Sequence, residues 1–188
     1  MGRWGPDARS RLERAAMELY TLHGFEQTTV AEISGRAGLT ERTFFRHFAD
    51  KREVLFRGAG TLQELIVSAV MNAPASESPV QAVVTGLEVA GAYFQGSPER
   101  ARTRWNIINA NPELQARELS KLAALGAAVA DGLQQRGVPA AAAGLAAESG
   151  VVVFRTAFER WIAGTGEKDW SQLVHESLCE LRAVLAAG

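Results

Sequence analysis

The 188-residue chain carries a single cysteine, Cys179, so no internal disulfide can form, and no Cys/His group has zinc-ligand spacing. The three histidines, His23, His47 and His175, are too scattered to suggest a metal site, and neither metal nor cofactor is expected. There is no strand-like alternation, no nucleophile elbow, no phosphate-binding glycine loop and no clustered acid–base pair. An enzyme is therefore not expected, and no catalytic residue is assigned. No apolar segment follows the basic N-terminus, and no apolar run approaches the ~20 residues that span a bilayer. Pro6 stands where a myristoylation signal needs Ser or Thr. These absences predict a cytoplasmic protein with no membrane partner. The formal net charge of −1 excludes a globally basic nucleic-acid binder.

Apolar residues make up 47% of the chain and charged residues 22%, proportions that suit a folded globular protein. Alanine dominates and β-branched residues are sparse, which favours an all-α fold. The charge is slightly uneven. Residues 1–60 hold 10 Lys+Arg against 8 Asp+Glu, and the remainder holds 10 against 13. That balance permits a DNA-facing N-terminal end without showing one.

Apolar spacing predicts a first helix from Asp7 to His23, with Leu12, Ala15, Ala16, Leu19 and Leu22 on one stripe and Gly24 as its stop. Thr29 with Glu32 three positions on reads as a capping box that opens a short second helix, ended by Gly38. Thr40 caps a third helix from Glu41 to Phe48, with Phe44 and Phe48 as its buried stripe. Three helices in about 45 residues, with a glycine turn between the last two, fit a helix-turn-helix. A fourth helix runs from Lys51, after the cap Asp50, to Asn72. Further starts at Ser78-Pro79, Ser97-Pro98 and Asn111-Pro112 give helices near 80–95, 98–110 and 112–136. A long helix follows from Pro139 to about Ala163, and a last one runs from Lys168 or Asp169 to Ala187. Nine helices result. They divide into a helix-turn-helix domain at 7–50 and a six-helix domain for effector binding and dimerisation at 51–188.

A DNA-reading helix must bury one face, present base-reading side chains on the other, and be flanked by phosphate anchors. Phe44 and Phe48 meet the first need, and Arg42 and Thr43 the second. Thr29, Arg46, His47 and Lys51 suit the third, since hydroxyls and cations bind phosphate. The blander alternative is a solvated face on an ordinary helical protein. The residues go beyond spacing, however. The run Thr29-x-x-x-Ile33-Ser34-x-x-Ala37-Gly38-Leu39-Thr40-x-x-Thr43-Phe44-Phe45-x-His47-Phe48-x-x-Lys51 resembles the TetR family of bacterial repressors.

That resemblance covers roughly residues 8–56. It implies a helix-turn-helix on the first three helices and a helical effector-binding and dimerisation domain beyond. By position, Arg42 and Thr43 would face bases, and Thr29, Phe45, His47 and Lys51 would lie near phosphates; Thr40 and Arg46 complete the expected DNA-binding set. Phe45 departs from the family pattern, which more often has Tyr there with its hydroxyl on a phosphate. The function implied is a sequence-specific repressor that a small-molecule effector releases from a near-palindromic DNA operator. The alternative is a helical protein-interaction module that no longer binds DNA.

A homodimer through the last two helices is expected. Ala142, Ala146, Gly150 and Val153 lie on one of them, and Leu173, Val174, Leu178, Leu181 and Leu185 on the other. Cys179 is read as a small buried residue on the last helix. Phe94, Trp105, Asn109 and Phe158 are the candidates for the effector pocket, because such pockets combine aromatic walls with few polar groups. Arg100, Arg102 and Arg104 read either as an anion site or as a solvated face paired with Glu99 and Glu113.

Overall fold

The computed structural model describes residues 7–94, 98–164 and 168–187, with the side chain of Phe94 outside that description. Among the described residues the regular structure is entirely helical. The elements are α1 (Ala8–His23), α2 (Val30–Arg36), α3 (Glu41–His47), α4 (Glu53–Phe56), α5 (Ala59–Asn72), α6 (Pro79–Phe94), α7 (Pro98–Asn109), α8 (Pro112–Gln135), α9 (Ala140–Ala163) and α10 (Trp170–Ala186).

Local chemistry sets most of the ends. Asp7 caps α1 by accepting the Ser10 amide at 2.7 Å, and that bond holds its carboxyl below the ordinary carboxylate range. Thr29 and Glu32 form the reciprocal capping box of α2, and Asp169 with Gln172 forms another at α10. Gly38 ends the α2 turn at φ 64°, a backbone conformation that glycine adopts without a Cβ clash.

Among the described residues the expected nine helices become ten because the fourth is interrupted at Arg57–Gly58. Gly58 has φ −81° and ψ −8°, and it keeps a right-handed backbone without a full helical turn. Gly58 and Gly60 together lower helix propensity over that stretch.

The chain forms two compact units. One comprises Met1–Arg57 and Glu99–Glu118, the other Gly58–Pro98 and Leu119–Gly188. These units do not follow the expected division at 50/51. Val54, Leu55 and Phe56 of α4 join Leu12, Ile33, Phe44 and Phe48 in one core, and so do Ile107 and Ile108 of α7 and Leu114 of α8. The sequence offers no local sign that residues sixty positions later complete the N-terminal core.

The chain crosses out of or into the first unit at three places, and each has an ion pair anchored inside that unit. Arg57 donates to the carboxylate of Glu13, which is only 8% exposed. Arg100 reaches the same carboxylate at 4.0 Å. Glu118 receives both Nη groups of Arg104, at 3.1 and 2.6 Å. Arg104 also donates to the Leu55 carbonyl at 2.6 Å, and both Arg104 and Arg117 lie over the Phe56 ring.

In the second unit, α6 packs against α5, α9 and α10. Ala146, Gly150 and Val153 are buried there, as are Leu173, Val174 and Leu178. The expectation that this small-residue stripe faces a second subunit is therefore corrected. A Cβ built on Gly150 would lie 2.3 Å from Val83 Cγ1, so the stripe lets α6 and α9 approach within one subunit. Past Leu178 the last helix outruns its own core. Cys179 is exposed rather than buried, and Val184 and Leu185 are each 72% exposed. α9 has a mean hydropathy of 1.2 and is apolar and long enough to pass for a membrane span, contrary to the sequence reading, but 44% of that window is buried inside the fold.

Candidate nucleic-acid interface

The α2–turn–α3 segment is built from two seven-residue helices, each about 10 Å long. Helices this short do not hold themselves, and their stability comes from packing. Ile33, Ala37, Phe44 and Phe48 are buried in the first unit's core, with the Phe44 and Phe48 rings 5.3 Å apart. That packing turns the opposite face of α3 to solvent.

Arg42 and Arg46 lie four residues apart on that exposed face. The other described cations of this unit are engaged. Arg9, Arg57 and Arg100 turn to Glu13, Arg14 and Arg36 to Glu18, Arg52 to Asp50 and Glu113, and Arg117 to Glu53. Arg104 pairs with Glu118. Arg102 is also engaged. Arg11 and Lys51 donate to backbone carbonyls. Among the described residues no acid pairs with Arg42 or Arg46.

Thr43 is half-buried, with its hydroxyl 3.1 Å from that of Thr40, and Thr40 caps α3 by accepting the Thr43 amide. Thr29 is exposed, but its hydroxyl donates to Glu32 at 2.9 Å within the capping box. The backbone bond from Thr29 lowers the Glu32 carboxyl below its ordinary range, so that partner stays anionic. Phe45 is 56% exposed and packs edge-on against Phe44. His47 is half-buried, and its Nε2 is buried without a hydrogen-bond partner, so that nitrogen offers nothing to a phosphate.

Lys51 sits apart from these groups in chemistry. Its ammonium donates to the carbonyls of Phe25, Glu26 and Thr28 at 2.9, 3.0 and 3.0 Å and lies 4.5 Å from the Phe25 ring centroid. Two residues that sequence reasoning missed support the same segment. Arg11 donates to the carbonyls of Ala37 and Gly38 at the turn, and Tyr20 donates to the Lys51 carbonyl at 2.6 Å. Both partners lie more than twenty residues away, where periodicity carries no signal.

The effector candidates fall in both units. Trp105 is half-buried and Asn109 exposed, both on α7 in the first unit, whereas Phe158 is buried in the second, stacked 6.2 Å from Phe154. Phe94 lies outside the described side chains. In the arginine cluster Arg104 is held by Glu118 and Arg100, which is exposed, turns to Glu13, while Glu113 pairs with Arg52.

The chain is similar to known proteins. A family model described as bacterial regulatory proteins, tetR family, matches residues 13–57, and one described as the MftR C-terminal domain matches residues 77–186. The transcriptional regulator TcmR of Streptomyces glaucescens is 41% identical over 75 residues, 40% of this chain and 33% of TcmR. A protein of Mycobacterium tuberculosis named as the mycofactocin biosynthesis regulator MftR is 26% identical over 123 residues, 65% of this chain and 62% of its own length. The matched stretches thus span about a third and three fifths of those two relatives. The solved SmeT–triclosan complex shares the fold, with a TM-score of 0.67, 18% identity, and coverage of 94% of this chain and 90% of that one. With one model over the helix-turn-helix and a second over more than half of its length, the chain belongs to the tetR family of bacterial regulatory proteins.

Proposed function

We propose that the protein is a sequence-specific DNA-binding regulator of transcription, acting in the cytoplasm as a repressor that a small organic effector releases from its operator. The observation that carries this reading is the pair Arg42 and Arg46. They are exposed on a rigidly packed α3 and unpaired, while the other described cations of the first unit are engaged. A guanidinium free of internal acids can bond a guanine edge bidentately, and a second can meet a phosphate. Thr43, half-buried beside Arg42, offers a methyl to a thymine.

One helix-turn-helix contacts few base pairs, so a homodimer is part of the proposal, with its two α3 helices about 34–36 Å apart. The apolar stripe of α10 supports it. That stripe is covered through Leu178, half-covered at Leu181 and exposed at Val184 and Leu185, while α9 exposes Leu145 and Val152. The effector class follows by likeness to the SmeT–triclosan complex and commits to no particular molecule.

Selection of DNA by the purified protein from a random pool tests the reading. The expected product is a two-fold symmetric site with half-sites about one helical turn apart, bound more weakly as salt rises. Enrichment of no sequence would sink it.

A further inference from the structure

Lys51 is placed as a cation beside the reading helix, yet its chemistry points inward. An ammonium has three N–H donors, and here each meets a backbone carbonyl at 2.9–3.0 Å while the charge rests on the Phe25 ring. No proton is left to give to a phosphate oxygen. The three carbonyls belong to the loop that delivers the chain to Thr29, the cap of α2. Lys51 itself follows α3, whose C-cap is Phe48. Its own carbonyl is held by Tyr20 of α1.

The helix pair is thereby fixed at two points. At one end α2 and α3 are joined by the Gly38 turn, on which Arg11 closes. At the other end the residue leaving α3 grips the residues entering α2. Core packing of Ile33, Ala37, Phe44 and Phe48 holds the two helices between these points, and the second point ties the end away from the turn. We infer that Lys51 is a positioning residue, a brace that closes the helix-turn-helix and fixes the angle of α3, and that it is not a phosphate contact. This inference rests on the DNA-binding reading.

The full-length protein, with Lys51→Met and Lys51→Arg, is titrated with its selected DNA and with random duplex DNA over a range of salt. Both variants are expected to lose the preference for selected over random DNA, by on the order of tenfold, the size of one lost base-pair match. The salt slope is expected to stay that of wild type. Arginine should not rescue, because its planar fork cannot bring three N–H groups from one nitrogen onto three converging carbonyls. A slope shallower by about one unit in Lys51→Met, with the preference intact, would mean a phosphate contact and overturn the inference. Full rescue by arginine would overturn it as well. So would a lower melting temperature with preference and slope both unchanged, since that marks a merely stabilising residue. Wild-type protein that binds no DNA would defeat the functional reading instead. The brace is then decided by amide exchange at Thr28 and Thr29, where faster exchange in Lys51→Met supports it and unchanged exchange refutes it.

Discussion

Arg42 is the residue on which the DNA-binding reading is most exposed to test. Replacing it with alanine is expected to weaken binding to the selected site by about 1–3 kcal/mol and to relax specificity at one base pair. Equal losses on selected and random DNA would demote it to a phosphate contact or a bystander. Tyr20 allows a test by pH. Burial raises its phenol well above the ordinary value of 10, and the Asp50 charge adds to that. The folded state therefore keeps a proton that the unfolded state releases, and stability falls as pH rises past 10. Tyr20→Phe should lose about 1 kcal/mol near neutrality, for the bond to the Lys51 carbonyl, and should then show less of the alkaline decline. Urea unfolding of both proteins on either side of pH 10 checks the two effects. Arg42 was legible in the sequence because helix spacing places it opposite Phe44. The roles of Tyr20 and Lys51 were not, because each depends on a carbonyl more than twenty residues away.

At the scale of the helix, ends were more legible than faces. Caps are local: Thr29 and Glu32 need only three residues' separation to satisfy each other, and Gly38 needs only its missing Cβ. Which side of a helix meets a neighbour is decided by the neighbour. The stripe of Ala146, Gly150 and Val153 has the small residues that close helix packing requires, but only the structure shows that α6 of the same unit occupies the groove. Gly150→Ala should destabilise the fold by about 1–3 kcal/mol, because the new methyl would press on Val83. Adding Val83→Ala to that variant should recover part of the loss. Equilibrium denaturation measures both, and a Gly150→Ala protein as stable as wild type would remove the close approach. The same dependence on neighbours explains the interrupted fourth helix. Its apolar pattern continues smoothly, whereas the two glycines and the two packing environments on either side of Arg57 do not.

For the molecule as a whole, the uncovered end of α10 sets the next expectation. Leu185→Asp should shift the protein toward monomer in sedimentation and weaken binding to a two-fold symmetric site by on the order of tenfold or more, since linked half-sites no longer act together. A variant that remains dimeric would place the interface elsewhere. The other molecular feature is that the first unit, which carries the helix-turn-helix, is not one stretch of chain. Its core takes Ile107, Ile108 and Leu114, and Phe56 is flanked by Arg104 and Arg117. During synthesis the last of the closing pieces of this unit arrives only at Glu118, 61 residues after Arg57. At roughly 5–20 residues per second, that is about 3–12 s before the last piece is made, and for the earlier part of it Phe56 has neither arginine beside it and Glu13 lacks Arg100. The nascent chain thus spends those seconds with its reading surface formed in sequence but unfinished in packing. It gains a complete first unit only after residues 58–98 of the other unit have also been made.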